Sequence, residues 1–205
     1  MRRLFVPAAT LLLLFNSVKA QSQERDLQLT ASIKGQQACA VSARHDALRL
    51  TLHLRYTNTG RQKLILYKGN RLFFQIFISR GGEDAAAIRN ELRTTHSRFF
   101  DEQPEKIVSP APGSVFTILS PGASYETEQI ISLPVAREGE GLFNVSIAAG
   151  EHVLNVAAST WYESKKLAEE LRERWRSRGF LWTDPLVSNS ITFAVGKDRS
   201  TIACQ

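Results

Sequence analysis

Cysteine is scarce in this 205-residue sequence, with two residues, Cys39 and Cys204, one near each end. Neither belongs to a C-x-x-C pair and no two histidines have metal-ligand spacing, so no zinc site of the common kinds is implied. Long apolar runs are missing too. The longest, Leu4–Phe15, falls short of the about 20 residues a membrane-spanning helix needs. The G-x-S-x-G elbow, a phosphate-cradling glycine loop and a dinucleotide fingerprint are all absent, which removes the motif-bearing hydrolases, nucleotide-binding proteins and Rossmann enzymes. There is no internal repeat and no low-complexity tract.

A strong charge imbalance is also lacking. Met1-Arg2-Arg3, the apolar run and Val18-Lys19-Ala20 have the charged start, apolar stretch and small-residue end of a secretory signal peptide over residues 1–20. The formal charge of +6 falls to +3 without those twenty residues, which hold three cations and no acid. That is an ordinary surface value and calls for no nucleic-acid partner. Residues 21–205 suit a single domain, with a secreted or periplasmic location. There, Cys39 and Cys204 pair most simply as one disulfide; two separate thiols are the alternative.

What is present is alternation. In "LRLTLHLRYTNTG", Leu48, Leu50, Leu52, Leu54 and Tyr56 share one parity, and Arg49, Thr51, His53, Arg55 and Thr57 the other. Period two marks a strand buried on one face, and Asn58-Thr59-Gly60 supplies turn chemistry. "KLILY" (Lys63–Tyr67) follows. "RLFFQIFIS" (Arg71–Ser79), apolar on nearly both faces, reads as a central strand. Residues 85–114 remain open between helix, strand and loop. "VFTIL" (Val115–Leu119), "SYETEQIISL" (Ser124–Leu133), "LFNVSI" (Leu142–Ile147), "HVLNVAA" (His152–Ala158) and "SITFAV" (Ser190–Val195) are further strands. Many short strands with turns between them indicate an all-β sandwich or barrel.

One helix interrupts the series, over about residues 161–178. Thr160 and Glu163 have capping-box spacing. Trp161, Leu167, Ala168, Leu171 and Trp175 form an apolar stripe, with Lys166, Glu170, Arg174 and Arg178 on the other face. The stripe predicts a helix docked on the sandwich before the last strand.

Reactive constellations are few. "SARHD" offers Ser42, His45 and Asp46 in one loop, but a Ser-His-Asp site needs groups held by separate rigid elements with an oxyanion hole. His53 lies on the polar side of its strand, His96 in a loop and His152 at a strand start. Glu83-Asp84, Asp101-Glu102 and Glu169-Glu170 read as solvated pairs. Asn144-Val145-Ser146 is a glycosylation sequon inside an expected strand. No catalytic residue, metal or cofactor is implied. "RERWRSRGFLWTDP" (Arg172–Pro185) interleaves arginine with Trp175, Phe180 and Trp182, the residue types enriched in binding hot spots. Arg174, Arg178 and Trp182 are the candidate binding residues, against a plainer reading in which the tryptophans pack and the arginines solvate.

The alternating strand ending in "NTG", the "LSPGASY" connection and the closing "SNSITFAV" resemble the immunoglobulin-like β-sandwich domains of exported bacterial proteins, over Leu27–Val195. In outline the chain is also similar to a family of small bacterial proteinase inhibitors built as a β-sandwich. The resemblance implies an all-β, Ig-like antiparallel β-sandwich. The expected function is a non-enzymatic binding or accessory module for another protein or a glycan. The alternatives are a proteinase inhibitor acting through a loop such as Ser97–Ser114, and a hydrolase with a site assembled from distant residues.

Overall fold

The structure, a computed structural model, describes residues 26–42, 45–67, 73–80, 88–90, 116–136, 146–161, 164–198 and 202–204. The first strand, β1 (Leu27–Ala40), pairs antiparallel with β2 (Asp46–Asn58), which carries the alternating stretch. Leu48, Leu50, Leu52, Leu54 and Tyr56 are all buried, whereas His53 and Arg55 face outward. The alternation therefore sets which face of the sheet is the wall of the core. Strands β3 (Leu64–Tyr67), β4 (Phe73–Arg80), β5 (Ile88–Asn90), β6 (Phe116–Leu119), β7 (Ser124–Val135) and β8 (Gly150–Ser159) follow. After the helix α1 (Lys165–Trp175) come β9 (Phe180–Leu181), β10 (Leu186–Val187) and β11 (Ile191–Val195).

The strands form three sheets. One has the order β1-β2-β7 and is antiparallel. The second runs β10-β8-β4-β5, with β11 beside β10 along the same side of β8, and places β4 centrally as its two-faced apolar pattern requires. The third, β6-β3-β9, is small and mixed, because β3 and β9 run parallel. A single buried cluster joins them: Leu29 of β1, Leu50 and Leu52 of β2, Leu133 of β7, Ile76 of β4, Val156 of β8, Phe193 of β11, and Leu64 and Leu66 of β3. The fold is thus all-β, an antiparallel β-sandwich with one helix among the described residues.

The side of the sandwich where β1 meets the β10–β11 turn is closed by side chains. Asn189 accepts from the Ala31 amide at 2.9 Å and donates to the Ala31 carbonyl at 3.1 Å, so its carboxamide takes the place of a neighbouring strand. Gln36 Nε2 donates to the Ala194 carbonyl at 2.6 Å. Both satisfy a strand edge that would otherwise be free to pair with another chain.

Four residues of β3, Leu64 to Tyr67, are all buried, because both faces are covered. Leu64 and Leu66 face the main core, while Ile65 and Tyr67 join Phe116, Leu181, Leu171 and Trp175 in a second cluster under α1. The helix stripe behaves as its spacing predicts: Ala168, Leu171 and Trp175 are buried and Leu167 partly so. Its start differs from the capping box expected at Thr160. Thr160 is fully buried at the end of β8, and the cap is Ser164, whose hydroxyl accepts from the Leu167 amide at 3.1 Å. Three strands, not one, follow the helix, since β9 and β10 are too short to announce themselves by alternation. Of the expected Leu142–Ile147 strand, Ile147 makes an isolated bridge to Val135; residues 142–145, which include Asn144, lie outside the described residues, as do residues 1–20, Glu83, Asp84, His96, Asp101, Glu102 and the Ser97–Ser114 loop.

Cys39 and Cys204 are joined as a disulfide. The C-terminal residues lie along the end of β1, with Ala40 N–H on the Ile202 carbonyl at 2.7 Å and Cys204 N–H on the Ala40 carbonyl at 3.1 Å.

The "NTG" turn after β2 is more than a chain reversal. Asn58 is fully buried; its amide nitrogen donates to the Gln62 and Leu119 carbonyls, both at 2.8 Å, and its oxygen accepts from Gly60 N–H at 3.0 Å. One side chain thereby holds the entry to β3 against the end of β6. Asn58→Ala strands these groups without partners, and we expect a loss of about 2–3 kcal/mol in chemical denaturation. Asn58→Asp should be comparably harmful, because it brings a carboxylate against the same two carbonyls.

Candidate functional site

The Arg172–Pro185 segment divides into two kinds of residue. Trp175 is fully buried and Trp182 is 1% exposed. Trp182 packs in the main core and its Nε1 donates to the Asp184 carbonyl at 2.8 Å. Trp182 is therefore a core residue, not the surface contact its place among arginines suggests: it follows β9 into the interior, where the indole body displaces water. Arg174 and Arg178 are exposed, as expected.

At the C-terminal end of α1 the chain builds an open cleft of about 410 Å³, lined by Gln62, Lys63, Arg172, Arg176, Ser177, Arg178, Gly179 and Phe180. Arg178 lies within it and Arg174 does not. The walls come from distant parts of the sequence. Phe180 N–H donates to the Lys63 carbonyl at 2.9 Å and Trp182 N–H to the Ile65 carbonyl at 3.0 Å, the parallel β3–β9 pairing. Gly179 permits that approach. A Cβ there would stand 2.7 Å from the Lys63 carbonyl oxygen, and the residue holds φ +155°, a conformation open to glycine and strained for other residues.

Arg172 is the fixed element of the cleft. Its Nε donates to the Leu181 carbonyl at 3.0 Å and its Nη2 to Thr183 Oγ1 at 2.6 Å, and the guanidinium lies 4.4 Å from the centre of the Phe180 ring. Both acceptors are neutral, so these bonds orient the charge without cancelling it. Arg176 has Glu173 at 3.5 Å, an exposed pair worth little. Among the described residues the cleft lining holds four cations and no acid. Two of them, Arg172 on α1 and Arg176 at its C-cap, stand four apart, a spacing visible in the sequence. Lys63 has no such signal, because only the β3–β9 pairing brings it there.

The other titratable residues are arranged differently. Ser42 Oγ lies 3.0 Å from His45 Nδ1 and also accepts from the His45 amide at 3.1 Å. Both residues are exposed in the β1–β2 turn, while Asp46 is buried as β2 begins. The contact braces a turn. His53 sits 3.2 Å from Glu126 on the outer face of the β1-β2-β7 sheet. Beside it, Lys34 bonds Glu128, which holds the carboxyl below its usual range and the ammonium above it, by hydrogen bond first and charge second. This contribution is lost as pH falls through the lowered Glu128 value or rises through the raised Lys34 value. His152 is buried, stacks on Phe193 at 5.4 Å and bonds the Ala148 carbonyl at 2.8 Å. Among the described residues no three His, Cys, Asp or Glu side chains group as a metal site, and no helix is long and apolar enough to cross a membrane. No family model matches the chain, and no curated protein or solved structure matches it either.

Proposed function

We propose that this chain is an exported, non-enzymatic binding or accessory module, an Ig-like β-sandwich that engages its ligand through the cleft at the end of α1. The observation that carries the reading is Arg172, an oriented cation with neutral protein partners, standing in a cleft lined with three further cations. The Cys39–Cys204 disulfide is compatible with an oxidising compartment. The two packed antiparallel sheets and the turn residues that connect their strands support the Ig-like description.

The test pairs capture with turnover. Immobilised protein is exposed to the extracytoplasmic fraction of its source, alongside an Arg176→Glu/Arg178→Glu variant. Both positions are exposed, so the variant should keep the wild-type melting temperature. Capture that disappears in the variant supports the cleft as the binding surface, and unchanged capture rejects it. Chromogenic ester, glycoside and phosphomonoester substrates should give no turnover above buffer. Steady hydrolysis of any of them would replace the binding module with an enzyme.

A further inference from the structure

Cations brought together without counter-charge repel one another, and a fold tolerates the arrangement where an anion completes it. Lys63, Arg172, Arg176 and Arg178 line the same cleft, with Glu173 reaching Arg176 from outside the lining. Arg172 spends Nε–H and one Nη2–H on Leu181 and Thr183. Its three remaining N–H groups, out of five, lie at the far end of the guanidinium fork. Phe180 is the one large apolar side chain in the described lining, and Arg172 lies across its ring, so the described walls offer an acyl chain little surface beside the cations.

Resting on the binding-module reading above, we infer that the cleft takes a phosphate or sulfate monoester group borne by a small polar molecule. A single carboxylate offers two oxygens and one charge. A tetrahedral ester offers three terminal oxygens, enough to meet Arg172, Lys63 and Arg178 together, and a phosphate ester adds a second charge. The volume of about 410 Å³ lies in the range of small-molecule sites and leaves room for a sugar-sized body beside the anion. The β3–β9 hydrogen bonds fix the Lys63 backbone, and the bonds to Leu181 and Thr183 fix the Arg172 guanidinium, so binding orders few backbone groups and loses little entropy.

The test titrates the intact folded protein with inorganic phosphate, inorganic sulfate and sodium chloride at matched ionic strength, by calorimetry or NMR shift mapping. Phosphate or sulfate should bind at least tenfold tighter than chloride, with shifts centred on Arg172, Arg178 and Phe180. Lys63→Glu/Arg178→Glu, which alters two exposed side chains, should weaken that binding at least tenfold with an unchanged melting temperature. Arg172→Met should do the same, and because Arg172 also bonds Leu181 and Thr183, the Lys63/Arg178 variant decides if Arg172→Met fails to fold. Affinity for phosphate that rises between pH 5 and pH 7, as its second proton leaves, assigns a phosphate ester. Flat, stronger binding of sulfate assigns a sulfate ester. Binding no tighter than chloride, or undiminished in the double variant, overturns the inference. If oxyanions fail while capture still depends on Arg176 and Arg178, the ligand class is wrong and the binding surface stands. If oxyanions bind while capture ignores those two arginines, the anion site stands and the capture surface lies elsewhere.

Discussion

Replacing Cys39 and Cys204 together by alanine is expected to lower the unfolding free energy by about 4–5 kcal/mol, measured by denaturant titration against the oxidised protein. The bridge spans 165 positions of sequence, so cutting it frees nearly the whole chain in the unfolded state, where the entropic gain is largest. The native state should change little. Ala40 keeps its hydrogen bonds to Ile202 and Cys204, and the parallel Ala40–Ala203 bridge holds the same geometry. The slope of the transition should rise, because an uncrosslinked unfolded chain exposes more surface. Against a typical total of about 5–15 kcal/mol, the loss leaves a marginal fold. Treatment of the wild type with a thiol reductant should reproduce it. A difference under about 1 kcal/mol would mean that the unfolded chain stays compact without the bridge.

Trp175→Ala carries the second large effect, about 3–5 kcal/mol, with the helix released from the sandwich. Trp175 is fully buried and meets Phe116 edge-on at 5.0 Å, and Phe116 in turn meets Tyr67 at 5.4 Å. These three rings and Leu171 make up most of the second cluster, so removing the indole leaves a cavity that β3 and α1 cannot collapse around. Far-UV circular dichroism should lose helical signal before the sheet melts, which separates undocking from global unfolding. Arg174→Ala, one residue earlier and exposed, should stay within about 0.5 kcal/mol of wild type. Trp175→Phe provides a sharper check. The indole Nε1 has no hydrogen-bond partner among the described residues, so the change deletes a buried unsatisfied donor along with part of the ring. Its cost should fall below about 2 kcal/mol. A Trp175→Phe loss as large as that of Trp175→Ala would show that the indole nitrogen does find an acceptor.

Much of the wall was legible from single segments. The parity of Leu48 to Tyr56 assigned every one of those side chains to the core side of β2, and the two-faced apolar pattern of Arg71–Ser79 anticipated a central strand at β4. The helix stripe named the residues that α1 buries. The helix starts later than the Thr160–Glu163 spacing predicts, at the Ser164 cap. Thr160 has a hydroxyl at the right spacing, but β8 runs through Ser159 and carries Thr160 into the interior. The Arg172–Pro185 segment has the composition of a binding surface, yet composition alone does not sort its tryptophans from its arginines. Trp182 went to the core while Arg172 and Arg178 went to the cleft.

By itself, then, the sequence determined the all-β class, the inward face of β2 (the longer β1 carries no such alternation along its second half), the apolar side of the helix and a cysteine pair to close the ends. These are periodic or compositional properties, written within a few residues of one another. Tertiary structure alone decided that β3 and β9, from opposite halves of the chain, run side by side. That parallel pairing, admitted by Gly179 where any Cβ would strike the Lys63 carbonyl, is what brings Lys63 to the arginines at the C-terminal end of α1. A short strand gains its partner from the core it helps to cover, and two residues such as Phe180–Leu181 hold too little pattern to name that partner in advance.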